Sequence, residues 1–127
     1  MTTRRIQMRG DDYVPPGSGL GPLAYDPRHG AVRPLRDGRL TLALPMAALS
    51  RVVLCVSDPA GGAVRALGPG GAEVARGTPG NDAVVTLVCP ASAIAADGAT
   101  LSVTLRPDPQ TAAGPPLLFH ALDAVQD

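Results

Sequence analysis

The chain has no lysine and no tryptophan, and its aromatic side chains are limited to Phe119, Tyr13 and Tyr25 among 127 residues. Each shortage removes a class of function. A Walker-type phosphate loop needs a Lys to reach the β- and γ-phosphates. Platforms for stacking bases need several exposed rings, and stacking of sugars draws on the same resource. All eleven cations are Arg and are matched by eleven acids, giving a formal net charge of zero. A nucleic-acid-binding domain carries a basic excess that displaces counterions from phosphates, so no nucleic-acid partner is expected. The exclusive use of Arg, with abundant Ala, Gly, Pro and Asp, reads as the coding bias of a GC-rich genome. No apolar run approaches the ~20 residues of a membrane-spanning helix, and no membrane role is expected.

Two cysteines (Cys55, Cys89) and two histidines (His29, His120) are present, without Cys-x-x-Cys or His-x-His spacing. Neither a metal nor a cofactor is therefore expected. The start, Met1 to Ile6, offers Arg4 and Arg5 but no apolar stretch after them; Asp11 and Asp12 follow instead. A secretory leader is not expected there. The reading places the protein in the cytoplasm where it is made, or in a larger particle.

What the chain does have is aliphatic residues and punctuation. Hydrophobic residues make up 45%, so Val, Leu and Ala must fill a core, while 15 Gly and 14 Pro leave little room for ordinary helices. The length fits one domain that buries roughly two-thirds of its unfolded surface. Residues 1–28 read as an extended arm. Ile6 and Met8 alternate with polar neighbours, and Tyr13 to Pro22 has polyproline character. Gly17-Ser-Gly-Leu-Gly21 follows Pro15-Pro16 rather than a strand, so it is a loop and not a dinucleotide turn.

A period of two begins near residue 30. Ala31–Leu35 reads as a strand, with Asp37-Gly38 as a hairpin signal after it. Leu40, Leu42 and Leu44 alternate; so do Val52, Leu54 and Val56, then Val85, Leu87 and Cys89, then Leu101, Val103 and Leu105, stopped by Pro107 and Pro109. A weaker strand spans Ala63 to Leu67. Leu117 to Val125 reads as either strand or helix, and strand is favoured. Leu40–Leu49 can be laid over Val85–Ile94: each is a strand, a Pro (Pro45, Pro90) and a short apolar turn. In that reading Ala47-Ala48-Leu49 and Ala93-Ile94-Ala95 cap the core where the chain crosses between sheets. The expected fold is all-β, an antiparallel sandwich of jelly-roll type over 29–127 with the arm at 1–28.

Candidate chemistry is sparse. Ten of the eleven acids are Asp, and most sit in turn sequences: Asp26, Asp58 and Asp108 precede Pro, Asp37 and Asp97 precede Gly, and Asp82 follows Asn81. Cys89 continues the inward set of its strand, whereas Cys55 falls on the opposite face, so the two are not expected to pair. A Cys–His pair needs only to meet in space, which keeps open a small hydrolase using Cys55 or an Asp with His29 or His120.

In size and build the chain resembles the small decoration or cement proteins of tailed-phage heads; the likeness is architectural and covers the whole chain. It implies a non-enzymatic structural role in a virion, with a major capsid protein as partner and a homo-oligomer, such as a trimer, as the attaching unit. The arm residues Arg4, Arg5, Ile6, Met8, Arg9, Tyr13 and Tyr25 would then meet the partner by strand addition or by laying Pro-rich backbone across a groove. Alternatively, the arm packs back on its own sandwich. The other functional reading is a ligand-binding sandwich module for carbohydrate or peptide, with the hydrolase third.

Overall fold

A computed structural model describes residues 2–7, 19–27, 30–43, 49–90, 100–108 and 116–126. They form ten strands: β1 (Thr2–Gln7), β2 (Ala24–Asp26), β3 (Gly30–Pro34), β4 (Arg39–Ala43), β5 (Arg51–Ser57), β6 (Ala63–Leu67), β7 (Glu73–Gly77), β8 (Val85–Pro90), β9 (Thr100–Asp108) and β10 (Leu118–Gln126). All pair antiparallel in two sheets. The larger runs β2-β3-β10-β5-β8, with β1 also on β10; the smaller runs β4-β9-β6-β7. Among consecutive strands from β2 onward, β2–β3 and β6–β7 are hairpins, and each other link changes sheet. The β-sandwich expected from the sequence is the fold observed.

The period-two residues build its interior. Leu40 and Leu42, Val64 and Ala66, and Leu101, Val103 and Leu105 of the smaller sheet face Val52, Leu54 and Val56, Val85, Leu87 and Cys89, and Phe119, Leu122 and Ala124 of the larger. All are buried, and Phe119 is the largest of the fully buried side chains. At roughly 25 cal/mol per Å² of apolar surface, layers of this kind supply most of the drive to fold.

The strand β10 is the spine of the larger sheet. One flank pairs with β5 from Leu118 to Val125, while the other is shared end to end by β3 (Leu118↔Pro34, Phe119↔Arg33) and β1 (Gln7↔Ala121 to Thr2↔Gln126). The segment read from sequence as an arm therefore contributes two strands to the sandwich. Leu20, between them, is buried in the core and bridges to Leu35.

Two sequence expectations are corrected. Asp37-Gly38 does not close a hairpin, because its flanks belong to different sheets. Leu35 N–H donates to the Leu117 carbonyl of the larger sheet at 2.8 Å, and the Gly38 carbonyl accepts from Leu105 N–H of the smaller at 2.6 Å. Gly38 has φ of +73°, and a Cβ there would strike the Leu105 carbonyl, so the corner needs glycine. Pro107 does not stop β9, which runs on to Asp108. Leu105 N–H points toward the β4 flank, so the Pro107 nitrogen two residues on points the same way, past the last β4 pair at Thr104. A missing N–H there costs no ladder bond.

The two similar segments behave as corners. β4 leads from the smaller sheet to the larger and β8 from the larger to the smaller. Leu49 is half-buried against the core. The proposed caps at Ala47-Ala48 and Ala93-Ile94-Ala95 lie outside the described residues.

Candidate functional site

The outer face of the larger sheet carries a cleft of about 640 Å³. Its floor comes from outward positions of adjacent strands. Val32 of β3 is buried yet stands apart from the sandwich core, and Leu118 and Ser57 sit opposite one another across β10 and β5. The β2 segment Ala24–Pro27 forms one wall; Asp58, Pro59, Gly61 and Ala83 form the other.

Local sequence fixes each wall. Asp58-Pro59-Ala60-Gly61 places its residues where a type I turn wants them, with Pro second and Gly fourth. The Gly61 N–H donates to the Asp58 carbonyl at 2.8 Å, and the Ala60 N–H to Asp58 Oδ1 at 2.9 Å. On the same wall Ala83 has φ of +64°, the positive-φ non-glycine among the described residues. Its N–H donates to the Gly80 carbonyl at 3.0 Å, and Asp82 Oδ1 takes the Val84 N–H at 3.1 Å. These bonds hold a conformation that costs a Cβ-bearing residue roughly 1 kcal/mol or more. The turn roles read for Asp58 and Asp82 are the ones seen.

A β-bulge shapes the floor. Phe119 pairs with Val56 and Ala121 with Cys55, so His120 is an extra residue on β10. Its Nε2 lies 2.7 Å from Ser57 Oγ. That contact joins residues 63 apart in sequence. The cleft lining therefore offers apolar carbon from Val32 and Leu118, a serine hydroxyl, two carboxylates (Asp26, Asp58) and Tyr25, whose residue is 77% exposed.

Farther along the same face an ion pair joins β1 to β10. Arg5 of β1 donates from Nε and Nη2 to the two carboxylate oxygens of Asp123 at 2.7 and 2.8 Å, and this fork raises the guanidinium pKa. Cys55 lies beside it, half-buried; burial first, then the Asp123 charge, pushes its thiol up. Cys89 faces the core, and burial pushes its thiol up to about 11. The two cysteines thus occupy opposite faces, as expected. A nucleophilic thiol needs a lowered pKa, so both shifts oppose such a role. Among the described residues no group of three His, Cys, Asp or Glu is placed to hold a metal, and no helix is long and apolar enough to cross a membrane.

Of the arm residues singled out in the sequence, Arg4 is exposed on β1 and Arg5 is held by Asp123. Ile6 pairs with Leu122 in the β1–β10 ladder, and Tyr25 lies on the cleft wall. Met8, Arg9 and Tyr13 lie outside the described residues, as do His29, Asp11 and Asp12. Ser57, Asp58, Val32 and Leu118 were not singled out as a site, because only the sheet register assembles them.

No protein-family model matches the chain, and no curated protein matches it. Solved structures do resemble it. CsCBM6-3 from Clostridium stercorarium, in complex with cellobiose, aligns over 98% of this chain and 94% of that one, at 14% identity and a TM-score of 0.52. The C-terminal CBM6 of LamC, a marine laminarinase from Zobellia galactanivorans, aligns over 98% and 100%, at 11% identity and a TM-score of 0.50. What the chain shares with these two modules is the β-sandwich fold.

Proposed function

We propose that the chain is a non-catalytic binding module whose cleft takes a soluble carbohydrate. The observation that carries this reading is the mixed lining of the 640 Å³ cleft, a volume within the roughly 300–1,000 Å³ of small-molecule sites. A sugar ring has apolar C–H faces and a rim of hydroxyls. Val32 and Leu118 suit the first; Asp26, Asp58 and the Ser57 hydroxyl suit the second, and Tyr25 stands at the wall. The fold likeness to carbohydrate-binding modules, one of them solved with cellobiose, supports the same reading. With a single tyrosine near the site, affinity is expected to be modest, with Kd on the order of 0.1–1 mM.

Titration of the isotope-labelled chain with cellobiose and laminaribiose tests it. Amide signals of Val32, Ser57 and Leu118 should move and saturate, and Tyr25→Ala or Asp26→Asn should weaken binding without altering the fold. Unmoved signals at saturating millimolar sugar would rule the cleft out.

A second reading, attachment to a larger assembly of the phage-decoration kind, is favoured by one feature. Leu23 and Tyr25 are 64% and 77% exposed, and the outer flank of β2 has no strand neighbour among the described residues. Light scattering separates the two, since a binding module runs as a monomer and an edge-paired unit does not.

A further inference from the structure

The outer face of the smaller sheet has no part in that reading. Arg39 and Thr41 of β4 lie opposite Thr104 and Ser102 of β9, so all four project from the same side. Together they line a second cleft of about 280 Å³, walled by Gly68 and Pro69 of the β6–β7 turn. Farther along the same face, Arg106, Arg65 and Arg76 stand in one cross-strand row.

The carboxylates of this face are already engaged. Glu73 accepts from Arg76 at 3.0 Å and lies 3.9 Å from Arg65, while Asp108 lies 3.1 Å from Arg76. Arg106 is tied to the Asp37 carbonyl at 2.8 Å. Arg39 is exposed, and no carboxylate among the described residues pairs with it. Among the described residues four guanidinium groups thus face two carboxylates; Arg39 and Arg106 have no carboxylate partner there, and of these two Arg39 borders a cleft lined with hydroxyls.

We infer that this cleft binds an oxyanion carried on an acidic glycan, either a uronate carboxylate or a sulfate ester. Arg39 supplies the charged contact through its planar fork, which matches two oxygens of one anion. The hydroxyls of Thr41, Ser102 and Thr104 both donate and accept, as sugar hydroxyls do, so they bond the ring that carries the anion. A nucleic acid fits less well, because the cleft has no aromatic ring to stack a base and the chain has no net positive charge. The inference does not depend on the cleft of the larger sheet.

The test is an amide-resolved titration of the intact chain at low ionic strength. The probes are trigalacturonate, a sulfated galactan oligosaccharide, neutral cellotriose and an oligothymidylate. Signals of Thr41, Ser102 and Thr104 should move with one or both acidic oligosaccharides and stay still with cellotriose. The affinity should fall as salt is raised. Arg39→Ala should weaken binding by about tenfold or more, Arg39→Lys by less, and Tyr25→Ala not at all. Because Arg39 is exposed, its variants should keep the fold, and Ser102→Ala provides a second lesion on the opposite strand. The inference is overturned if neither acidic oligosaccharide moves these signals, if Arg39→Ala binds as well as the parent, or if oligothymidylate binds this face more tightly than either acidic oligosaccharide.

Discussion

The outer faces of the two sheets are built on the same alternation, yet they differ in kind. On the smaller sheet the central outward positions, Arg39, Thr41, Ser102, Thr104, Arg65 and Arg106, are all polar, with Ala43, Ala63 and Leu67 at the strand ends. On the larger sheet Val32, Ala121 and Val125 are buried although they stand outside the core, and Leu118 and Cys55 are half-buried beside them. One face is wetted and charged; the other is apolar, roofed in part by turns and crossed by the Arg5–Asp123 fork. Both sheets nonetheless share one interior, and the largest expected effects test that. Phe119→Ala from the larger sheet should cost about 3–5 kcal/mol and Leu105→Ala from the smaller about 2–5 kcal/mol. Denaturant unfolding should remain a single transition in each variant. Separate transitions for the two sheets would break the shared-core picture.

The difference between faces also explains what could be read from sequence. Strands with one wet face show clean alternation, so the sequence reading of 63–67 coincides with β6, and Leu40/Leu42 and Leu101/Leu105 were placed correctly. β10 is apolar on both faces and carries a bulge. Inserting His120 sets the inward side chains Phe119 and Leu122 three positions apart instead of two, and Leu118, Ala121, Leu122 and Val125 then fall at helical spacing. That is why the segment read as either strand or helix. β7 went unread because Glu73–Gly77 has one strongly apolar residue, Val74. The cleft was illegible for a different reason: Val32, Ser57 and Leu118 are outward positions whose meeting is set by register between strands far apart in sequence.

Next in size is the loss of β1. Deleting residues 1–7 removes the partner of β10 from Ala121 to Gln126. If each lost backbone bond is worth about 0.5–1.5 kcal/mol net, stability should fall by roughly 3 kcal/mol. An arm serving attachment alone would leave the unfolding midpoint unchanged. The smaller sheet offers the control, because it has no contact with β1 in the ladders described.

A smaller effect should appear at alkaline pH. Cys89 ionises near 11 in the fold, against an ordinary 9.0. Between those values the unfolded chain releases the thiol proton while the folded chain retains it, so the unfolded state binds fewer protons. Stability must then fall as pH rises from about 9 to about 11, with a limiting slope of about 1.4 kcal/mol per pH unit, and level off above. Melting temperatures across that window, for the parent and for Cys89→Val, should keep a constant offset below about pH 9, and the parent should then fall relative to the variant up to about pH 11, once background titration is subtracted. Parallel curves would mean that the thiol is not desolvated.

The smallest expected effect bears directly on the two faces. Arg5 is about half exposed while Asp123 is largely covered, with side-chain accessibilities of 52% and 17%. Solvent screening limits such a pair to about 0.5 kcal/mol in stability, even with two parallel hydrogen bonds. Arg5→Ala should therefore shift the unfolding midpoint only slightly. Its removal, however, uncovers the apolar strip formed by Ala121, Val125 and Cys55, so alkylation of Cys55 should speed up while Cys89 stays unreactive. On the smaller sheet Arg76→Ala lies over a face that is already polar, and it should change neither stability nor thiol reactivity measurably. If Arg5→Ala left Cys55 as slow to react as before, the fork would be a surface ornament, and the apolar strip would owe its cover to the turns alone.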